Sequence, residues 1–289
     1  IGEAASAETQ AELEYWLGQR SPGLPRLPRD LEVPAEANTL TSQRSASLWL
    51  DTEETRILLQ EVPQVYKTQI NDVLLTALAL AFQAWTGSPL LLVDLEGHGR
   101  EDLFPEIDLT RTVGWFTTVY PVLLDLRRIQ GSGEALKAVK EQLRSVPRGG
   151  VGYGLLGYGA AADRFAGLPV PEVSFNYLGQ LDQVFSESLP FRAAREYPGP
   201  VRSPRAHRSY LLDVQGSVFT GRLSLSCSYS KSVHRPATIE GLVALLGQKL
   251  RDLIAHCRET EAGGFTTSDF PLAGLTQAQL DSILRGGKL

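Results

Sequence analysis

The sequence predicts an α/β fold, a mixed β-sheet covered by helices. Strand-like runs interleave with helical segments from residue 45 onward, the alternation that layers helices on a sheet. Residues 210–219 and 222–230 are strand-like and separated only by Thr220 and Gly221, which reads as a hairpin, so the sheet is not wholly parallel. Residues 71–86 and 237–258 have the apolar faces and the length of helices that pack on such a sheet.

In chain order, residues 7–19 form a short amphipathic helix with Leu13, Tyr15, Trp16 and Leu17 among Glu and Gln. Its aromatic pair needs a packing partner, which is expected outside this chain. Residues 21–41 hold Pro22, Pro25, Pro28 and Pro34, the composition of a linker in extended backbone. Residues 45–50 alternate polar and apolar as a half-buried strand does, and Asp51-Thr52-Glu53-Glu54 opens a helix with acids in its first turn. Pro63 interrupts; residues 71–86, apolar almost all round, then form a helix buried on the sheet and stopped by Gly87-Ser88-Pro89. Residues 90–95, apolar except for Asp94, read as a mostly buried strand. Residues 111–116 are a turn rich in large side chains, and 117–126 are a second buried strand covered by a helix over 133–145.

Residues 149–154 contain four glycines, so no regular element is expected there. With no Gly-Lys-Ser/Thr ending and no preceding strand, the stretch is a turn or a close backbone contact and not a phosphate loop. A strand over 170–177 and a long loop with short extended pieces over 180–204 lead to the hairpin. The helix at 237–258 carries Leu242, Leu245, Leu246, Leu250, Leu253 and Ile254 on one face, and a short helix runs from Thr276 to Leu284.

The 289 residues are 43 % hydrophobic, enough for a packed core. The net charge of −5, with 28 basic residues dispersed, gives no electrostatic case for nucleic acid or an anionic membrane as partner. Cys227 and Cys257 show no metal-ligand spacing and read as reduced core thiols, and no metal cluster is visible. No window reaches the roughly 18 apolar residues of a membrane span, and the acidic, Ala-rich start is unlike a signal peptide, so a cytoplasmic location is expected. A first residue Ile1 and no Met anywhere suit a piece excised from a larger polypeptide.

The strand at 90–95 delivers Glu96-Gly97-His98-Gly99-Arg100-Glu101. Glu96, His98 and Arg100 place two titratable groups and a fixed cation within five residues, which suits an acid/base site; a solvated strand-ending turn is the alternative. Gly97 and Gly99 allow a sharp turn or positive φ and leave room for a ligand beside the main chain.

Four stretches then match one family in order: Asn71-Asp72-Val73-Leu74-Leu75; Glu96 through Glu101; Arg111-Thr112-Val113-Gly114-Trp115-Phe116-Thr117 with Tyr120-Pro121; and Gly152-Tyr153-Gly154 with Phe175-Asn176-Tyr177-Leu178-Gly179. The set resembles the late core motifs of the epimerization domains of nonribosomal peptide synthetases. The resemblance implies one chloramphenicol-acetyltransferase-like lobe of a two-lobed domain whose active site is a tunnel between the lobes. Residues 1–43 would be the inter-lobe crossover helix and Pro-rich linker, 44–274 the C-terminal lobe, and 275–289 a short helix leading to a downstream linker. The family's first lobe carries His-His-x-x-x-Asp-Gly. Here His98, His207, His234 and His256 are isolated, so the N-terminal lobe is a missing partner and the fragment alone is expected to be inactive.

By the same resemblance, Glu96, Asn176 and Tyr177 are catalytic. Glu96 carries the Cα proton in a water-excluding tunnel that raises its pKa, while Asn176 and Tyr177 donate to the developing oxyanion. His98 is a hydrogen-bonded loop histidine or a relay, and Arg100 pairs with a nearby carboxylate. Trp115 and Phe116 pack in the core or at the lobe interface or line the tunnel, and Gly152, Tyr153 and Gly154 shape a loop at its mouth. The substrate arrives as a thioester on the phosphopantetheine arm of a carrier protein, so no cofactor binds the chain directly. A condensation-domain lobe and a noncatalytic carrier-protein docking module are the alternatives.

Overall fold

The structure, a computed structural model, describes residues 6–20, 23–101, 103, 106–159, 161–183, 196, 199, 202–260 and 262–286. Most of the loop expected over 180–204 lies outside the described residues, as do Ser21, Pro22 and residues 287–289. Helices α1 (Ala7–Ala11) and α2 (Leu13–Gln19) come first, then strand β1 (Gln43–Trp49). Asp51 and Glu54 start α3 (Thr52–Gln60) with a reciprocal capping box, each side chain accepting the other's amide, at 2.7 and 3.0 Å. Pro63 does not break the chain as its position suggests. It sits in the first turn of α4 (Val62–Tyr66), where a backbone amide has no helical partner to lose. Helix α5 (Ile70–Thr86) ends on Gly87 at φ 75°.

There follow β2 (Leu90–Gly97), β3 (Thr118–Asp125), α6 (Ser132–Arg144), α7 (Val151–Gly157), α8 (Ala162–Phe165), β4 (Val173–Gln180), β5 (Leu212–Phe219), β6 (Arg222–Ser230), α9 (Pro236–Cys257) and α10 (Gln277–Gly286). The strands form one mixed sheet in the order β1-β6-β5-β4-β2-β3. β2 with β4 and β4 with β5 are parallel, and the remaining pairs are antiparallel. The expected fold is therefore the observed one, with β5 and β6 as its hairpin.

Strand alternation gives the sheet two unlike faces. One face carries Val93, Val173, Leu212 and Leu225 and is sealed by Leu74, Leu78 and Phe82 of α5 and by Leu246, Leu250 and Leu253 of α9, all buried. Each such side chain contributes about 1.5–3 kcal/mol by leaving water. The other face is polar in register rows. Asp94, Ser174, Asp213, Ser228 and Ser45 pair across five strands, and Asn176, Gln215, Ser226 and Ser47 form the next row, which Glu96 extends.

Two expectations fail at the N-terminal helices. Trp16 is fully buried, and its partners are in this chain: its ring lies 6.0 Å from Tyr120 and 5.4 Å from Tyr153, and its Nε1 donates to Glu12 at 2.9 Å. The Gly-rich stretch is not a loop shaped by Gly152, Tyr153 and Gly154, because all three lie in α7. Glycine costs about 1 kcal/mol in a helix, but packing outweighs it here. A Cβ on Gly152 would sit 1.9 Å from Glu12 Oε2, and Arg148 donates to Glu12 at 2.5 Å and to Thr9 at 2.7 Å. The turn lies just upstream, where Arg148, Gly149 and Gly150 have φ of 41°, 59° and 84°. Cys227 and Cys257 are buried and unpaired, and burial pushes their thiols up to about 12 and about 11, which makes them inert. Among the described residues no helix is long and apolar enough to cross a membrane.

Candidate functional site

Because β2 and β4 are adjacent and parallel, their C-terminal ends open at the same edge of the sheet, the usual place for a ligand in such folds. Glu96 is the last polar-face residue of β2 and is exposed; Asn176 stands beside it on β4. The Asn176 amide donates to Glu96 Oε2 at 2.6 Å, which fixes the orientation of the carboxylate.

The turn after Glu96 is braced from the 110s. A Cβ on Gly99, at φ 64°, would lie 1.6 Å from the Phe116 carbonyl oxygen, and one on Gly97 would lie 2.7 Å from Thr118 Oγ1 and 3.1 Å from the Gly149 carbonyl oxygen. The space glycine leaves is thus filled by the chain itself and not kept for a ligand. Arg100 finds no carboxylate partner among the described residues. It donates to the carbonyls of Leu109 at 2.5 Å and Thr112 at 2.9 Å, and its guanidinium lies 4.3 Å over the Phe116 ring. His98 is a hydrogen-bonded loop histidine: Nδ1 accepts the Arg100 amide at 3.0 Å and Nε2 lies 3.5 Å from Glu101.

Of the placements expected for Trp115 the structure excludes the core, and one expected catalytic position, Tyr177, falls elsewhere. Trp115 is not core, with 90 % of its surface exposed, since Arg100 holds Phe116 and leaves its neighbour projecting from the loop. Tyr177 follows Asn176 by one residue, so alternation turns it to the opposite face of β4, against the core and beside Gly216. Asn176 and Tyr177 therefore do not converge on one atom. Tyr153 accepts a hydrogen bond from Arg20 at 2.9 Å and packs on Trp16.

The site also contains residues that motif reading passed over. Asp94 shares the polar face with Glu96 and accepts the Tyr210 hydroxyl at 2.8 Å. Burial pushes its carboxyl up to about 6, against the opposing pull of Tyr210 and Arg20. The available signal was a lone Asp in an apolar strand, two residues before Glu96. Asp94 and Tyr210 line a cavity of about 590 Å³ that also meets Arg20, Val119, Tyr153 and Tyr158. No group of three or more metal-ligating side chains occurs among the described residues. The arrangement offers an oriented carboxylate on an open face with a second carboxyl recessed beside it, which suits proton transfer to or from a molecule approaching that face.

Comparison with known proteins bears on this geometry. A linear gramicidin synthase of Brevibacillus parabrevis is 45 % identical over 285 residues, which is 97 % of this chain and 4 % of that protein. Surfactin synthase subunit 2 of Bacillus subtilis (strain 168) is 39 % identical over 96 % of this chain and 8 % of its own length. The crystal structure of the epimerization domain from the third module of tyrocidine synthetase B superposes with a TM-score of 0.80 at 35 % identity, covering 89 % of this chain and 57 % of that one. The condensation domain of the monacolin K polyketide synthase shares the fold, at TM-score 0.60 and 22 % identity over 88 % of this chain and 58 % of its own. The chain thus spans a small part of the synthetases and just over half of the solved epimerization domain. The family model described as condensation domain matches residues 2–276, nearly the whole length, and on that match the chain belongs to the condensation domain family.

Proposed function

We propose that this chain is the C-terminal lobe of an epimerization domain of a nonribosomal peptide synthetase, in which Glu96 removes or returns the Cα proton of a carrier-bound aminoacyl or peptidyl thioester. The observation that carries the reading is the Glu96 carboxylate, held at 2.6 Å by the Asn176 amide at the open end of two parallel strands. The 35 % identity to a solved epimerization domain supports it further.

Inverting Cα requires proton removal, stabilisation of an enolate-like oxyanion, and proton return from the other side. Glu96 acts from this lobe, oriented by Asn176. The opposite carrier comes from a lobe bearing His-His-x-x-x-Asp-Gly, to which residues 1–43 lead, with 44–274 as the lobe proper and 275–289 leading to a linker. Trp115, exposed beside the Glu96 turn, meets that second lobe. The thioester arrives on the phosphopantetheine arm of a carrier protein. Tyr177, on the other face of β4, keeps a packing role.

The test combines this chain with such a lobe and a loaded carrier protein, and follows solvent deuterium entering Cα. Glu96→Gln lowers the exchange rate by about 10²–10⁴-fold, the range for losing a positioned acid/base. Undiminished exchange removes Glu96 from the chemistry. A new amide product without deuterium entry favours the condensation reading.

A further inference from the structure

Resting on that reading, we infer that the cavity beside Glu96 receives the α-ammonium of the substrate at Asp94, so that the chain acts on an aminoacyl thioester in preference to a peptidyl one. Asp94 and Glu96 are two residues apart on the same strand face, which separates their side chains by about 7 Å. An N–Cα bond of about 1.5 Å with a contact of about 3 Å at each end spans the same distance. A substrate whose Cα faces Glu96 therefore has its amine at Asp94.

The cavity reaches the level of Glu96, because Val119 is both in its wall and the cross-strand partner of Glu96. Tyr153, Tyr158 and Tyr210 stand in its wall. The charged groups facing Asp94 are Arg20 and, further out, Glu96. Arg20 directs its donors to the carbonyls of Pro169 at 2.7 Å and Leu168 at 3.1 Å and to Tyr153 at 2.9 Å. Desolvation still exceeds the pull of Arg20 and Tyr210 on the Asp94 carboxyl, so an added cation gains by entering. An acylated amine is neutral and forms no ion pair there.

The test uses the chain itself with amide-linked, non-hydrolysable pantetheine analogues, read by calorimetry or NMR. The alanyl analogue binds at least tenfold tighter than the N-acetylalanyl one, and Asp94→Asn removes that preference. Gly154→Leu removes it as well, since a Cβ at Gly154 meets nothing within 4 Å and a larger side chain fills the cavity while leaving the carboxylate intact. Equal affinities, a preference that survives both substitutions, or no binding of the alanyl analogue at millimolar concentration overturns the inference. Binding of an Nα-acetyl-lysyl analogue as tightly as the alanyl one overturns the α-amine assignment and places a side-chain ammonium in the cavity. Deuterium exchange in the two-lobed assembly reads the base assignment and the binding series reads the amine at Asp94, so failure of the one is distinguishable from failure of the other.

Discussion

On the face turned to α5 and α9, the strands present Val93, Val173, Leu212 and Leu225 to a continuous apolar layer, whereas the opposite face presents Asp94, Ser174, Asp213 and Ser228 in a single row. Both sets come from the same strands at alternate positions. The covered face specifies the fold through burial; the open face is free of that demand and carries the carboxylates. A charged group on the covered face would be stranded in a low dielectric, while on the open face solvent and the donors Asn176 and Tyr210 offset part of the cost.

The largest effect that tests this division is Leu250→Ala on α9, a fully buried side chain. It costs about 2–5 kcal/mol by lost transfer energy and an unfilled cavity, visible as a lower denaturation midpoint with unchanged slope. A smaller loss means the covered face relaxes more than its packing indicates.

Asp94→Asn sharpens the contrast with a change of opposite sign. The folded state holds this carboxyl near 6 against an ordinary 3.8, so it takes up a proton before the unfolded chain does. Keeping it charged therefore destabilises the fold above about pH 6, and the penalty is relieved as pH falls through 6 toward 4. Two pKa units correspond to about 3 kcal/mol, reduced for partial exposure to about 1–2 kcal/mol. Asp94→Asn raises stability by that amount at pH 7 and by nothing below about pH 4, measured by denaturation at both pH values. A loss at pH 7 shows that the ion is well compensated.

The smallest effect is Ser47→Ala on exposed β1, whose hydroxyl donates to Ser226 at 3.2 Å across the open face. A change within about 0.5 kcal/mol is expected. A cost comparable to that of Leu250→Ala would abolish the distinction between the faces.

Much of this was legible in the residue order because it is encoded locally. Asp51 and Glu54 announce a helix start three residues apart, the hydrophobic alternation of β5 and β6 flanks Thr220-Gly221, and an apolar run ends on Glu96. The misreadings involve partners distant in sequence. Trp16 found its partners on β3 and α7, Arg100 found carbonyls and Phe116 where a carboxylate was expected, and Gly152 entered a helix where Glu12 fills the space of a Cβ.

The sequence by itself determined the long helices, the strands, their polar and apolar sides, and the carboxylate at the end of β2, since periodicity and capping act over a few residues. Only the tertiary structure decided that β4 lies beside β2, which brings Asn176 to Glu96 across 80 residues, and that Tyr210 reaches Asp94 across 116. Strand order and the burial of a charge depend on how the whole chain excludes water, and no local spacing records that.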